Sequence, residues 1–95
     1  MKKEIGPEES KISGGWIETE DGFSKDETYN RIEYLTENYL EKLAVDKSGW
    51  EILYRAPNDG RFWVKWFPQS EMHGGGPPEL KVIEANEAKK KFSHG

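Results

Sequence analysis

The chain has 95 residues, a net charge of −4 and no cysteine. One domain with a single modest core is expected at this length. The lack of cysteine excludes disulfides, thiolate nucleophiles and cysteine-ligated zinc. The acidic balance argues against nonspecific binding to nucleic acid or anionic lipid, so a partner with a basic surface fits better. No apolar run reaches the length of a signal peptide or membrane span, and we expect a cytoplasmic protein.

The first residues differ in composition from the remainder. Residues 1–15 are polar and broken by glycine and proline, which predicts a flexible N-terminal arm ahead of one domain at 16–95. "WIET" at the start of that domain predicts a short strand, and Asp21-Gly22 predicts a turn after it.

The segment 24–44 predicts one long amphipathic helix. Ser24 and Glu27 have capping-box spacing, so we expect the helix to begin near Ser24 or Lys25. At about 100° per residue, the less polar side chains gather on one side, which should face the core. These side chains are Tyr29, Ile32, Leu35, Thr36, Tyr39, Leu40 and Leu43. Residues 46–49 would supply the helix stop.

The segment "GWEILYRAPNDGRFWVKWFP" predicts a β-hairpin, with Gly60 in the left-handed position of its turn. Arg55 and Arg61 flank this turn and are expected to hydrogen-bond to Asp59 or to loop carbonyls. "ELKVIEA" predicts a third strand, and "NEAKKKF" predicts a short closing helix that docks Phe92. The predicted fold is α+β: a mainly antiparallel sheet of three to four strands, with the long helix packed on one face.

The second hairpin strand carries aromatic rings on both faces. Phe62 and Trp66 alternate with Trp63 and Phe67. Either other segments cover both faces, or one face is partly an exposed patch for partner recognition. This leaves open which face of the strand is buried.

An acidic stripe is expected on the outer side of the long helix. Glu33, Glu37 and Glu41 have i, i+4, i+8 spacing, Tyr34 lies alongside, and no lysine lies between them. A solvated helix face is the ordinary explanation. The alternative is docking onto a cationic surface, for which Glu33, Tyr34, Glu37 and Glu41 are the candidate contacts.

The stretch "PQSEMHGGGPPEL" does not have the pattern of a phosphate-binding loop, because Pro77 and Pro78 stand where a Walker lysine and helix would begin. Glu71 and His73 would share a face of an extended segment, but no nucleophile or orienting group accompanies them. We therefore expect no enzyme, metal or cofactor. Met72 and His73 form a second candidate contact surface.

Three segments together resemble the Immunity protein 27 family of bacterial polymorphic toxin systems. They are "RIEYLTENYLEKLA", "SGWEILYRAPNDGRFW" and "FPQSEMHGGGPPEL", and the resemblance spans roughly residues 14–84. The structural motif residues that it includes are Trp50, Tyr54, Arg55, Asp59, Gly60, Arg61, Trp63, Gly74, Gly75, Gly76, Pro77 and Pro78.

The resemblance implies a protein that binds a cognate toxin and neutralises it by occluding its active or substrate-binding surface. The main rival is a small adaptor domain with no toxin partner. An enzyme is the third hypothesis, and it requires His73 to lie in a pocket with a carboxylate. The sequence does not indicate whether the chain self-associates.

Overall fold

An antiparallel sheet of five strands forms the centre of the molecule in our computed structural model, which describes residues 3–68 and 76–92. The strands, in chain order, are β1 (Lys11–Ser13), β2 (Trp16–Thr19), β3 (Gly22–Lys25), β4 (Glu41–Val45), β5 (Ile52–Arg55), β6 (Phe62–Trp66) and β7 (Glu79–Ile83). The main sheet has the order β1-β7-β6-β5-β4, and β2 pairs only with β3. The helices are α1 (Glu27–Tyr34), continued by a π-helical turn at Leu35–Tyr39, and α2 (Ala85–Phe92).

The chain is α+β, but the predicted sheet of three to four strands with one long helix is wrong. The helical part ends at Tyr39, Leu40 takes an extended conformation, and Glu41–Val45 pairs with β5. Leu40 stays buried, whereas Leu43 lies at an irregularity in the β4–β5 ladder and is exposed. The pairing with β5 satisfies the backbone of β4 across the sheet, and this tertiary gain outweighs the local helical pattern.

The predicted helix start is also wrong. Ser24 belongs to β3, and Asp26 is the N-cap of α1. The Asp26 carboxylate accepts a hydrogen bond of 2.7 Å from the Tyr29 amide, and so satisfies one of the free donors of the first turn.

Both faces of the main sheet are covered, and each has its own apolar cluster. Trp63 is fully buried on the α1 side, and Val64 is fully buried on the α2 side. The α1-side cluster comprises Ile5, Ile12, Ile32, Leu35, Leu40, Tyr54, Ala56, Trp63 and Leu80. The α2-side cluster comprises Leu53, Val64, Ile83, Ala88 and Phe92, with Phe62 and Trp66 partly buried against it. The strand with aromatic residues on both faces is therefore buried on both.

Residues 3–13, which fall in the expected N-terminal arm, contribute an edge strand and two core side chains. β1 pairs with β7, and Ile5 and Ile12 are buried. The side chain of Asn58 donates a hydrogen bond of 3.0 Å to the Ile5 carbonyl, which ties this segment to the β5–β6 turn.

The predicted hairpin, third strand and closing helix are confirmed. β5 pairs with β6 around a turn in which Gly60 has a φ of 75°. β7 adds to β6, and Phe92 of α2 is buried. The strand β2 and the turn before Gly22 are confirmed as well. Within the described part of the chain, no helix has the length and apolar character needed to cross a bilayer.

Candidate partner-binding surface

Three exposed apolar side chains, Trp16, Ile17 and Phe23, lie on the two-stranded hairpin of β2 and β3, residues 16–25, which we call the ribbon. All eight residues of its two strands are exposed. Cross-strand pairing sets Trp16 opposite Lys25 and Phe23 opposite Glu18, so these four side chains share one face. Trp16 and Phe23 are thus diagonal neighbours, at a spacing of about 7–8 Å.

The base of the ribbon is held against α1. The Gly15 amide donates to the Asp26 carboxylate at 3.1 Å, and the Asp26 amide donates to the Gly15 carbonyl. The rings of Trp16 and Tyr29 lie 5.2 Å apart, and Lys25 lies over the Tyr29 ring at 5.0 Å. A two-stranded hairpin is marginal by itself in water, so these contacts orient the ribbon relative to the body.

Lysines from β3 and β6 accompany the acidic side chains of the helical segment, although none lies between those side chains in the sequence. The Lys25 ammonium donates to both carboxylate oxygens of Glu33, at 2.9 and 3.1 Å, and this hydrogen bond raises the pKa of Lys25. Lys65 of β6 is partly buried, and burial lowers its pKa although the charges of Glu33 and Glu37 act to raise it. Glu33 and Glu37 therefore share a surface with two lysines.

The predicted acidic stripe does not exist as one helical row. Glu33 and Tyr34 are in α1, Glu37 is in the π-helical turn, and Glu41 is the first residue of β4. Glu41 pairs in register with Arg55 of β5. The structure keeps Glu33 and Glu37 together and separates Glu41 from them, because the helical repeat stops before Glu41. Tyr34 contacts the N-terminal segment, where Lys3 lies over its ring at 5.5 Å.

A second aromatic group lies beside the start of β5 and the end of β6. The ring of Trp50, which is 58% exposed, meets the ring of Phe67 edge to face at 5.9 Å. These two rings line a cavity of about 440 Å³ together with Ser48, Glu51, Trp66 and Pro68. Residues 69–75 follow directly in the chain, and they fall outside the described residues.

The turn residues of the family resemblance connect the hairpin to the N-terminal segment. Arg61 donates to the Asp59 carboxylate at 2.7 Å, and also to the carbonyls of Glu9 and Gly6 at 2.6 and 3.0 Å. These are the bonds to Asp59 and to carbonyls expected for an arginine beside this turn. Arg55 is exposed and forms no ion pair among residues 3–68 and 76–92.

Four of the other motif residues, Tyr54, Trp63, Gly76 and Pro78, are buried. Tyr54 and Trp63 are buried in the α1-side cluster, and burial raises the pKa of the Tyr54 hydroxyl. Gly76 has a φ of 64°, and the Pro78 carbonyl accepts a hydrogen bond of 2.9 Å from the Gly14 amide. Pro77 and Pro78 also border a small cavity beside β1. The second half of the glycine and proline loop thus packs against the connection between β1 and β2.

The candidates Met72 and His73, with Glu71, Gly74 and Gly75, lie outside the described residues, so the proposed pairing of Glu71 with His73 remains untested. Among the residues that are described, no group of three or more histidine, aspartate or glutamate side chains could hold a metal ion.

The second strand of the ribbon, β3, is the feature that sequence reasoning missed. The capping-box spacing of Ser24 and Glu27 favours a helix start at Ser24 or Lys25, although "EDG" before it is an ordinary hairpin turn signal. Strand-like residues on both sides of that signal were the available indication, because Trp16, Ile17 and Phe23 all favour strands.

The fold combines a five-stranded antiparallel sheet with a surface that exposes aromatic and acidic side chains. A family model, Immunity protein 27, matches residues 18–84. The chain belongs to the Immunity protein 27 family. The comparisons with curated proteins and with solved structures find no significant match.

Proposed function

We propose that this protein binds a cognate bacterial toxin in the cytoplasm and neutralises it without catalysis, by occluding its active or substrate-binding surface. Membership in the immunity protein family is the observation that carries this proposal. The exposed rings of the ribbon and of Trp50 support it, because exposed aromatic side chains are typical of protein-binding surfaces.

The outer side of α1 is the contact surface that we propose. Glu33, Tyr34 and Glu37 contribute polar and acidic contacts there, and Glu41 adds long-range attraction from β4. Met72 and His73 are a second candidate surface. Since the chain is acidic overall, the toxin surface should carry lysine and arginine.

Co-expression with the toxin encoded by the neighbouring gene tests this proposal, with growth and co-purification as the two readouts. We expect the toxin to stop growth when expressed alone. This protein should restore growth and purify with the toxin as a complex. A neighbouring product that is not toxic and forms no complex would contradict the proposal and favour the adaptor hypothesis.

A further inference from the structure

The ribbon exposes apolar side chains on both of its faces. Phe23 is 74% exposed on the face it shares with Trp16, and Ile17 is 51% exposed on the opposite face. Burial of such side chains is favourable, yet each of the two keeps at least half of its surface exposed. A hairpin only two strands wide has no interior in which to bury them. Phe23 and Ile17 can therefore both be buried only by a partner that surrounds the ribbon.

The free end of the ribbon is uniformly acidic. Glu18, Glu20 and Asp21 lie at or next to the turn, and none of them forms an ion pair with a residue in the described part of the chain. The only cation of the ribbon, Lys25, lies at its base and is paired with Glu33. Three like charges close together favour contact with a cationic surface, where their repulsion is relieved.

The dimensions suit insertion more than flat contact. Four-residue strands span about 14 Å at ~3.4 Å per residue, and the two strands lie about 4.8 Å apart. We infer that the ribbon enters a cationic cleft of the toxin, of the kind that binds a polyanionic substrate, with Phe23 as the apolar anchor and the acidic end against lysine and arginine side chains. This inference rests on the proposed function and adds the inserted element and the chemistry of the toxin's cleft.

Two ribbon variants and two matched controls test the inference with the purified toxin encoded by the neighbouring gene. Phe23→Ala removes the anchor, and Leu43→Ala is its control, because Leu43 is also exposed but lies on β4. Glu20→Gln/Asp21→Asn removes two charges from the ribbon. Its control, Glu84→Gln/Glu87→Gln, removes two exposed charges near α2. Thermal unfolding of each variant reports whether it is folded. Heparin serves as a polyanionic competitor for the cleft.

We expect Phe23→Ala to weaken binding at least about tenfold, as for a central aromatic anchor. The double charge variant should weaken binding several-fold at low salt and reduce its salt dependence. The affinity of both control variants for the toxin should stay within about twofold of that of the unaltered chain. Heparin should displace the unaltered chain from the toxin. If the ribbon variants bind like the unaltered chain, or heparin has no effect, the inference is overturned and the proposed function stands. If the unaltered chain does not bind the toxin, both are overturned.

Discussion

At the residue scale, Arg61 joins the β5–β6 turn to the N-terminal segment. It hydrogen-bonds to Asp59 and to two carbonyls of the N-terminal segment, and its side chain is mostly shielded from water. We expect Arg61→Ala to reduce the free energy of unfolding by roughly 2 kcal/mol, because hydrogen bonds to a charged group are lost and two carbonyls lose a donor. Urea denaturation measures the change.

Arg55 provides the matched control for this prediction. It flanks the same turn but is exposed and forms no ion pair with the described residues. Arg55→Ala should therefore change the free energy of unfolding by less than about 0.5 kcal/mol. Equal losses in the two variants would mean that Arg61 does not hold the N-terminal segment.

Asp59 makes stability depend on pH in the acid range. Its pKa lies below the ordinary 3.8, first because its carboxylate accepts a hydrogen bond from the Arg61 amide, and further because of the Arg61 side chain. A carboxylate with a lowered pKa in the folded state stabilises the fold above its unfolded pKa, and this stabilisation is lost as the pH falls through the folded pKa.

We therefore expect Asp59→Asn to flatten the acid dependence of stability. As the pH falls below about 4, the free energy of unfolding of the unaltered chain should fall more steeply than that of the variant. Chemical denaturation at several pH values in this window measures both slopes. Parallel slopes would show that Asp59 has the same pKa in the folded and unfolded states.

At the element scale, Asp26 and Ser24 are the two candidate N-cap residues of α1. Asp26 caps the helix in the structure, whereas the capping-box pattern pointed to Ser24, which lies in β3. We expect Asp26→Ala to cost roughly 1 kcal/mol of stability, because the Tyr29 amide loses its acceptor. Ser24→Ala should cost less than about 0.5 kcal/mol. A larger loss for Ser24→Ala in thermal or urea unfolding would support the capping box instead.

At the scale of the whole molecule, the distribution of acidic side chains should govern association with the toxin. Glu33 and Glu37 share the surface proposed for contact, while Glu84 and Glu87 are exposed near α2. We expect Glu33→Gln/Glu37→Gln to slow association several-fold at low salt, because charges near a contact steer encounter. Glu84→Gln/Glu87→Gln, which changes the net charge equally, should have little effect.

Association rates measured at two salt concentrations check this prediction. Raising the salt should bring the rates of the two double variants together, because screening removes the steering. Identical rates at low salt would mean that net charge, and not the position of Glu33 and Glu37, controls association. Glu41→Gln, tested separately, reports the contribution from β4.

Much of the fold could be predicted because its signals are local. The β5–β6 hairpin has its turn residues between two alternating strands, and Gly60 takes the expected left-handed conformation. β7 and α2 follow from alternation and from a short amphipathic repeat that ends in Phe92. The motifs in and around these elements also led to the family, which the match over residues 18–84 confirms.

Only the tertiary structure decided the elements whose state depends on distant partners. The sequence of residues 41–45 continues a helical repeat, but pairing with β5 makes these residues a strand. Residues 11–13 have no strong strand signal, yet pairing with β7 and the burial of Ile12 place them in the sheet. In both segments, hydrogen bonds and apolar contacts across the sheet outweigh weak local preferences, so the outcome depends on residues far away in the sequence.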